Sequence, residues 1–231
     1  STPIKSSAAS DVYKRQITNK RWIVMSKTIP MIISNRSILI RAKDSNDFVA
    51  FSMPGINLNS NIPFYHMFAQ KISECQYYFK QFMRKQYGKK FSKYILAIIT
   101  PDDTTPLESI FINEFFINSG ACKAVAQIKM SQALSKTEPK YISISMSCRN
   151  VIATYINNNE IIAAKCYDCH NYDATQIIDE AKKIHIDVEC DEVPIFINNL
   201  NVNMEKFFGH GQVIAPKEFL EKIAVIDVEK L

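Results

Sequence analysis

The feature that most constrains the fold is a strand–helix–strand pattern in residues 94–134. Residues 94–99 are an unbroken apolar run. At six residues, such a run favours a strand buried on both faces over a helix. Thr105, Pro106 and Glu108 then form a capping box, with proline at the first helical position where its missing N–H costs nothing. This order predicts a buried strand followed by a well-defined helix.

The same pattern continues into a second strand. Leu107, Ile110, Phe111 and Phe115 give the helix one apolar face, and Gly120 is a natural stop just past its end. Residues 124–128 are typical of a strand, and residues 130–134 of the start of a helix. The whole stretch predicts a βαβ unit, and therefore an α/β fold with a mostly parallel, buried sheet.

Shorter patterns extend this prediction along the chain. A long amphipathic helix is expected over residues 64–86, because apolar residues recur there at spacings of three and four. Asp173 and Pro216 each suit the start of a further helix. Asparagines at 157–159 suit a tight hairpin turn. Strands are expected at 21–25, 29–33, 37–41, 48–51, 140–146, 151–156, 160–166 and 193–197.

Composition excludes several classes of protein. The chain has 231 residues, enough for one large domain or two small ones, and no apolar run approaches the ~18–20 residues of a membrane span. No signal peptide is visible, so the six cysteines are expected to be reduced thiols. The net charge is +5, of which residues 1–16 supply +2 (three cations less Asp11). The remaining +3 has no long basic block, so nucleic acid is not an expected partner.

Residues 101–121 resemble actin-like proteins of the bacterial rod-shape (MreB/Mbl) group. In that family a buried strand is followed by a turn of the form P-S-G-x-T-x-x-E and an amphipathic helix ending in G-A. Pro101, Thr105, Glu108, Gly120 and Ala121 stand at that spacing without a gap. The resemblance extends more weakly over residues 38–224. It implies an α/β actin-like ATPase fold, with ribonuclease-H-like sheets flanked by helices.

The resemblance also implies a domain division. Residues 17–136 would form the first actin-like domain and residues 137–231 a truncated second one, with residues 1–16 a non-native or disordered leader. The family's first phosphate loop has no counterpart near the start, and its last subdomain would follow residue 231. The sequence is therefore expected to represent an incomplete reading frame or a shortened paralogue, with an incomplete version of the fold.

The family's second phosphate loop, D-I-G-G-G-T-T-E, matches residues 143–150. Ser143 stands in place of the aspartate that organises metal and water, and the glycines become Ser145, Met146 and Ser147. Arg149 enters the turn. The serines could still donate to phosphate and Arg149 could offset its charge, so these residues are the predicted nucleotide site. Phosphate-cradling loops need glycine for close backbone approach, and the whole chain has only five.

The resemblance places the family's catalytic carboxylate at Gln127 or Ile128. Glutamine can orient an attacking water but cannot act as a base, so Gln127 is the candidate catalytic residue and hydrolysis is expected to be impaired. By family resemblance ATP and Mg²⁺ are the implied cofactors, but the altered loop predicts that ATP is bound weakly or not at all.

Cys166, Cys169 and His170 carry a separate hypothesis. Their C-x-x-C-H spacing formally matches c-type haem attachment, which needs an export signal, or a zinc site with Cys190 or His185 as a fourth ligand. Two free thiols at the end of a strand are the simpler interpretation. His66, by contrast, is isolated in the sequence.

The implied function is an actin-like cytoskeletal or scaffold subunit with impaired ATP binding and hydrolysis. One alternative is an active, ATP-dependent, filament-forming protein seen as a fragment; the other is a metal-binding or redox module at Cys166–His170. Implied partners are further copies, other actin-like subunits and membrane-associated cell-shape proteins. The implied location is the cytoplasm, including the periphery of the inner membrane.

The turn residues Asp102 and Asp103 could ligate a metal, but helix initiation explains them more simply.

Overall fold

Two five-stranded sheets form the framework of the computed structural model, which describes residues 28–53, 61–135 and 137–226. The predicted leader and the predicted strand at 21–25 lie outside these ranges. The first sheet contains β1 (Thr28–Ile33), β2 (Ile38–Arg41), β3 (Phe48–Phe51), β4 (Ile95–Thr100) and β5 (Ala124–Lys129). The second contains β6 (Lys140–Met146), β7 (Asn150–Asn157), β8 (Glu160–Asp168), β9 (Ile195–Asn198) and β10 (Gln212–Ile214).

Both sheets have the same topology. Their strand orders are β3-β2-β1-β4-β5 and β8-β7-β6-β9-β10, so each has three antiparallel strands followed by two parallel ones. The prediction of a mostly parallel sheet is therefore wrong for half of each sheet, because short turns join the first three strands and permit only antiparallel pairing. Below, the first sheet with its helices is lobe I and the second with its helices is lobe II.

The predicted βαβ unit is confirmed as β4, helix α2 (Pro106–Asn118) and β5, with β4 and β5 parallel over six residue pairs. The predicted apolar face of α2 is wrong at Leu107 and Ile110, which are exposed because the helix packs through Ile112, Phe115 and Phe116 instead. Thr105 caps the helix: its hydroxyl accepts from the Glu108 amide at 3.3 Å, and the Glu108 carboxylate accepts from the Thr105 amide at 2.7 Å. Gly120 has φ +65°, which fits the predicted helix stop.

The long helix expected over residues 64–86 is divided in two. A 3₁₀ helix covers Phe64–Lys71 and α1 (Ile72–Tyr87) follows, because Lys71 leaves helical geometry with φ −142° and ψ 50°.

Two short elements, α4 (Ile186–Cys190) and β10, have no sequence pattern long enough to predict them. The α-helices are α1 (Ile72–Tyr87), α2 (Pro106–Asn118), α3 (Ala174–Ala181), α4 (Ile186–Cys190) and α5 (Pro216–Ala224). Within the described ranges, none of these helices has the length and apolar character to cross a bilayer.

Three apolar cores hold the sheets and helices together. One lies between the first sheet and helices α1 and α2, and another between the second sheet and helices α3 and α4. The third lies between the lobes, where Ile32 and Ile99 of lobe I pack with Tyr141, Ile156 and Phe219 of lobe II. Each of these five side chains is completely buried. Burial of a large apolar side chain contributes roughly 1.5–3 kcal/mol, so the shared core fixes the lobes against each other.

The capping box yields a stability prediction. Thr105→Ala removes the hydroxyl that satisfies the Glu108 amide, so the free energy of unfolding should fall by about 0.5–2 kcal/mol. Thr105→Ser keeps the hydroxyl and should stay close to the wild-type value. Urea denaturation of the three proteins checks this. Equal stability of the alanine variant and the wild type would mean that the cap contributes nothing.

Candidate functional site

Two polar segments meet at the boundary between the lobes. Asp102 and Asp103 follow the carboxyl end of β4 in lobe I, while Ser145, Ser147 and Arg149 lie at the end of β6 and in the β6–β7 turn of lobe II. Side chains alternate along a strand, so residues two apart project from the same face. Ser145 and Ser147 therefore face the same way, and each meets one of the two aspartates.

Asp102 is hydrogen-bonded on both sides of the boundary. Its carboxylate accepts from the Ser145 hydroxyl at 2.6 Å and from the Ser131 amide at 2.8 Å. Burial raises the pKa of Asp102, and the hydrogen bonds from Ser145 and Ser131 oppose that shift without cancelling it. Asp102 thus joins the end of β4 to lobe II and to the 3₁₀ helix Met130–Ala133.

Asp103 contacts lobe II through one of its two carboxylate oxygens. Its side chain is only 4% exposed, and one of its oxygens, Oδ2, accepts three hydrogen bonds from lobe II. The donors are the Ser147 hydroxyl at 2.6 Å, Arg149 Nε at 3.1 Å and Asn150 Nδ2 at 3.1 Å. The backbone carbonyl of Asp103 also accepts from Arg149 Nη2 at 3.0 Å. A buried carboxylate with this many donors is a strong anchor for the opposite lobe.

Arg149 binds a second carboxylate as well. Its Nη1 and Nη2 donate to the two oxygens of Glu108 at 2.8 and 3.2 Å, a bidentate arrangement. Glu108 also lies 2.5 Å from Nε2 of His66. Burial alone would raise the pKa of Glu108, but hydrogen bonds from Arg149, the Thr105 amide and His66 outweigh it and lower the pKa to about 2. Burial likewise disfavours charge on Arg149, yet Glu108 and Asp103 raise its pKa overall.

We call these contacts the cross-lobe network: Asp102, Asp103 and Glu108 from lobe I with Ser145, Ser147 and Arg149 from lobe II. A second cation, Lys129, lies beside it and donates to the backbone carbonyls of Thr104 and Pro101. Burial lowers the pKa of Lys129, although Asp102 and Asp103 oppose that shift. The network therefore brings three carboxylates and two cations together at the lobe boundary.

The repeated topology gives this contact a counterpart. The β1–β2 turn of lobe I is equivalent to the β6–β7 turn, and the segment after β9 is equivalent to the segment after β4. In the counterpart, the Asn35 amide donates to Oδ1 of Asn201 at 3.2 Å. Each lobe thus meets the other through one turn and one strand end. Among the described residues, only the contact that includes Arg149 contains ion pairs between the lobes.

The structure brings only part of the predicted nucleotide site together. Ser145, Ser147 and Arg149 lie in the network, whereas the Ser143 hydroxyl is buried with no hydrogen-bond partner in the described part of the chain. The candidate catalytic Gln127 points to helix α2. Its side-chain amide donates to the Ser109 carbonyl at 2.9 Å and to Asn113 Oδ1 at 2.7 Å.

Sequence reasoning missed the lobe I half of the network. Asp102 and Asp103 were interpreted as turn residues, Glu108 only as part of a cap, and His66 as isolated, which its contact with Glu108 corrects. One signal could have identified the aspartates: they directly follow a buried parallel strand, and functional side chains of α/β sheets collect at the carboxyl ends of such strands.

The site does not present a free phosphate cradle. A cradle needs donors that are available to the anion, but Ser145, Ser147 and Arg149 already donate to carboxylates. Met146 fills one of the positions where the family has glycine, and its side chain is buried. A triphosphate entering here would also meet the like charges of Asp102 and Asp103. In this arrangement the residues present do not fit the nucleotide.

The cysteine hypothesis finds no supporting geometry. Cys166 is exposed on β8, and Cys169 is half-buried with its thiol donating to the Cys148 carbonyl at 3.5 Å. Partial desolvation of the sulfur atoms, together with the nearby carboxylates of Asp103 and Asp168, raises the pKa of both Cys166 and Cys169 and disfavours the thiolate that a metal would need. Across the ranges that the structure describes, no three His, Cys, Asp or Glu side chains are grouped so as to hold a metal ion.

Structural comparison identifies the fold. The chain is similar to a Porphyromonas gingivalis protein assigned as an N-acetylglucosamine kinase, with a TM-score of 0.52 and 11% identity over 85% of this chain and 98% of that one. It is also similar to AlfA from B. subtilis in its filament structure, with a TM-score of 0.50 and 12% identity over 86% and 97% of the two chains. The predicted actin-like ATPase fold is confirmed.

A further similarity is to MreB5 of Spiroplasma citri, crystallised with ADP, at a TM-score of 0.43 and 12% identity. That match covers 68% of this chain, which spans only about 56% of MreB5. No protein-family model matches the sequence, and no curated protein matches it significantly. The comparisons therefore establish the fold and leave the family open.

The low pKa of Glu108 predicts a pH-dependent stability. A carboxyl whose pKa is lower in the folded than in the unfolded protein stabilises the fold above its unfolded pKa, about 4.3 for Glu. That contribution is lost as the pH falls from about 4.5 towards 2. Glu108→Gln should therefore be less stable than wild type at pH 7, and the difference should shrink across this window.

Urea denaturation at several pH values measures this difference. Glu114→Gln is the matched control, because Glu114 is an exposed residue of the same helix. Asp102 has a raised pKa, so its protonation stabilises the folded state as the pH falls, opposite to the effect of Glu108. For this reason the stability difference between variant and wild type is measured at each pH, and not the wild-type curve alone. A Glu108→Gln curve parallel to wild type from pH 7 to pH 2 would contradict the assigned ion pair.

Proposed function

We propose that this chain is an actin-like scaffold subunit of the rod-shape type, in which ATP binding and hydrolysis are impaired. The observation that carries the proposal is the engagement of Arg149 with Asp103 and Glu108. These ion pairs cross the boundary between the lobes at the turn that the sequence resemblance assigns to phosphate. The side chains that would hold an anion therefore hold the two lobes together instead.

Energetics favour the closed network over a bound nucleotide. Each charge-assisted hydrogen bond contributes roughly 1.5–3 kcal/mol. A phosphate that had to forgo two such bonds would bind about 10²–10⁴-fold more weakly, since 1.4 kcal/mol is a factor of ten. Displacing the network would also leave Asp103, only 4% exposed, as an uncompensated buried charge. ATP therefore competes poorly against the intramolecular carboxylates.

Hydrolysis faces a separate obstacle. An attacking water must be oriented by a side chain that points towards the phosphate, and the candidate for this role is Gln127. Its amide is held by Ser109 and Asn113 of helix α2, and a glutamine cannot accept a proton as a base. The proposal therefore assigns weak nucleotide binding, at most, without turnover.

A scaffold role agrees with the way the lobes are joined. The shared apolar core and the cross-lobe network both hold one closed arrangement, which suits a rigid building block. AlfA, a structural neighbour, forms filaments, and this supports self-association as part of the proposal. The same fold also occurs in a protein assigned as an N-acetylglucosamine kinase, so the fold alone does not establish the function. The proposal therefore rests on the cross-lobe network.

Calorimetric titration with ATP and Mg²⁺ tests the proposal. Wild type should give no binding stronger than about 1 mM, and no phosphate release. The double variant Asp103→Asn/Glu108→Gln removes both carboxylate partners of Arg149 and should bind ATP at least about tenfold more tightly than wild type. The matched control Asp103→Asn/Glu108→Gln/Arg149→Met removes the freed cation and should lose that gain.

Two results would contradict the proposal. Micromolar ATP binding by wild type with steady phosphate release would show an active nucleotide site and favour the alternative of an ATP-dependent filament protein. Equal, weak binding by wild type and the double variant would show that the carboxylates do not block Arg149. Circular dichroism spectra of all proteins establish that each variant is folded.

A further inference from the structure

A strip of uncompensated positive charge runs along the outer side of lobe I. It occupies the second half of α1 and the 3₁₀ helix Gly88–Lys93, and the sequence has no acidic residue between Glu74 and Asp102. Every cation of the strip is exposed, and none has a carboxylate within 4.0 Å among the described residues. The basic strip consists of Lys80, Arg84, Lys85, Lys89, Lys90 and Lys93.

Helix electrostatics account for only part of this strip. Arg84 and Lys85 lie in the last turn of α1, where cations are favoured by the helix dipole. Lys90 and Lys93 lie in the last turn of the 3₁₀ helix, whereas Lys80 and Lys89 have no such explanation. Tyr77 lies on the same helix face as Arg84, seven residues earlier, and is 58% exposed. The strip therefore combines cations that lack a carboxylate partner with one exposed aromatic ring, a residue type that is enriched at contact surfaces.

Lobe II carries a surface of opposite charge. A groove of about 570 Å³ lies between α4 and the start of β9, and acidic, apolar and one basic side chain line it. Glu189 and Glu192 are exposed and form no ion pair within the described ranges, whereas Asp191 pairs with Lys140 at 2.9 Å. The charged lining consists of Glu189, Asp191, Glu192 and Lys182, and the apolar lining includes Val188, Val193 and Ile195.

The two surfaces lie apart from the cross-lobe network. The basic strip ends just before β4, and the acidic groove ends at the start of β9. β4 and β9 are equivalent strands of the two sheets, and the network lies at the opposite, carboxyl end of β4. No ion pair joins strip and groove within the described chain. Both charges therefore remain available to another molecule.

We propose that the basic strip of one copy docks on the acidic groove of a second copy. Charge complementarity selects this partner, because the cations of the strip lack a carboxylate partner and the groove carboxylates Glu189 and Glu192 lack a cationic one in the described residues. Tyr77 and the apolar lining of the groove add apolar area that the contact can bury. The inference rests on the proposed scaffold role and deepens it by naming the contact between subunits.

Reciprocal charge reversal tests this contact by light scattering coupled to size-exclusion chromatography. At low salt, wild type at about 50 μM should show a mass above that of the monomer, and this should fall to the monomer mass in 1 M salt, where the Debye length is only about 3 Å. Arg84→Glu/Lys85→Glu and Glu189→Lys/Glu192→Lys should each be monomeric at low salt. An equimolar mixture of the two variants should associate again, because each then offers the complementary surface.

Controls separate this contact from a general charge effect and from the nucleotide proposal. Arg36→Glu/Lys217→Glu changes the net charge equally at exposed positions outside the strip, and should associate like wild type. A monomeric wild type at low salt, or a mixture that fails to associate, would overturn the inference.

Sedimentation with vesicles of phosphatidylcholine and phosphatidylglycerol tests an anionic membrane as the alternative partner of the strip. Vesicle binding by a monomeric wild type, lost in Arg84→Glu/Lys85→Glu, would assign the strip to lipid. None of these measurements uses ATP, so a negative result here is distinct from a negative result in the calorimetric titration with ATP.

Discussion

The ion pairs of Arg149 with Asp103 and Glu108 are the interaction on which the rest of the structure depends. They join the β6–β7 turn to the carboxyl end of β4 and to the first turn of α2. The Asp103 and Glu108 side chains are almost buried, so removal of Arg149 would leave charge in a poorly solvated place. Glu108 also completes the cap of α2, and it therefore links the stability of that helix to the closure of the lobes.

Packing explains why these groups meet. The apolar core shared by the lobes sets the distance between the sheets, and the alternation of side chains along β6 turns Ser145 and Ser147 towards the two aspartates. Ser145 and Ser147, at positions where the resembled loop has glycine, supply hydroxyl donors in place of open backbone. At the boundary between the lobes, side chains of the protein itself bind one another, and this is the basis of the proposed scaffold function.

Local sequence patterns predicted much of the fold but little of the site. The capping box at Thr105, the strand–helix–strand unit and the Asn158–Asn159 turn with its positive φ values all depend on neighbours in sequence, and all are confirmed. Arg149 and Glu108 are forty-one residues apart in sequence, so no periodicity or spacing connects them. Likewise the orientation of Gln127 depends on where α2 packs, which a strand pattern does not specify. The resemblance predicts a nucleotide site at Ser145, Ser147 and Arg149, but it does not identify the carboxylates that these side chains contact.

A double-mutant cycle between Arg149 and Asp103 tests the central claim most directly. The unfolding free energies of wild type, Arg149→Met, Asp103→Asn and the double variant would be measured in urea at pH 7 and low salt. Residues that share a buried ion pair show coupling energies of about 0.5–3 kcal/mol. The account predicts a coupling of about 1–3 kcal/mol in favour of the pair. Effects that add to within about 0.5 kcal/mol would contradict it, because the two lobes would then not be held together by this contact.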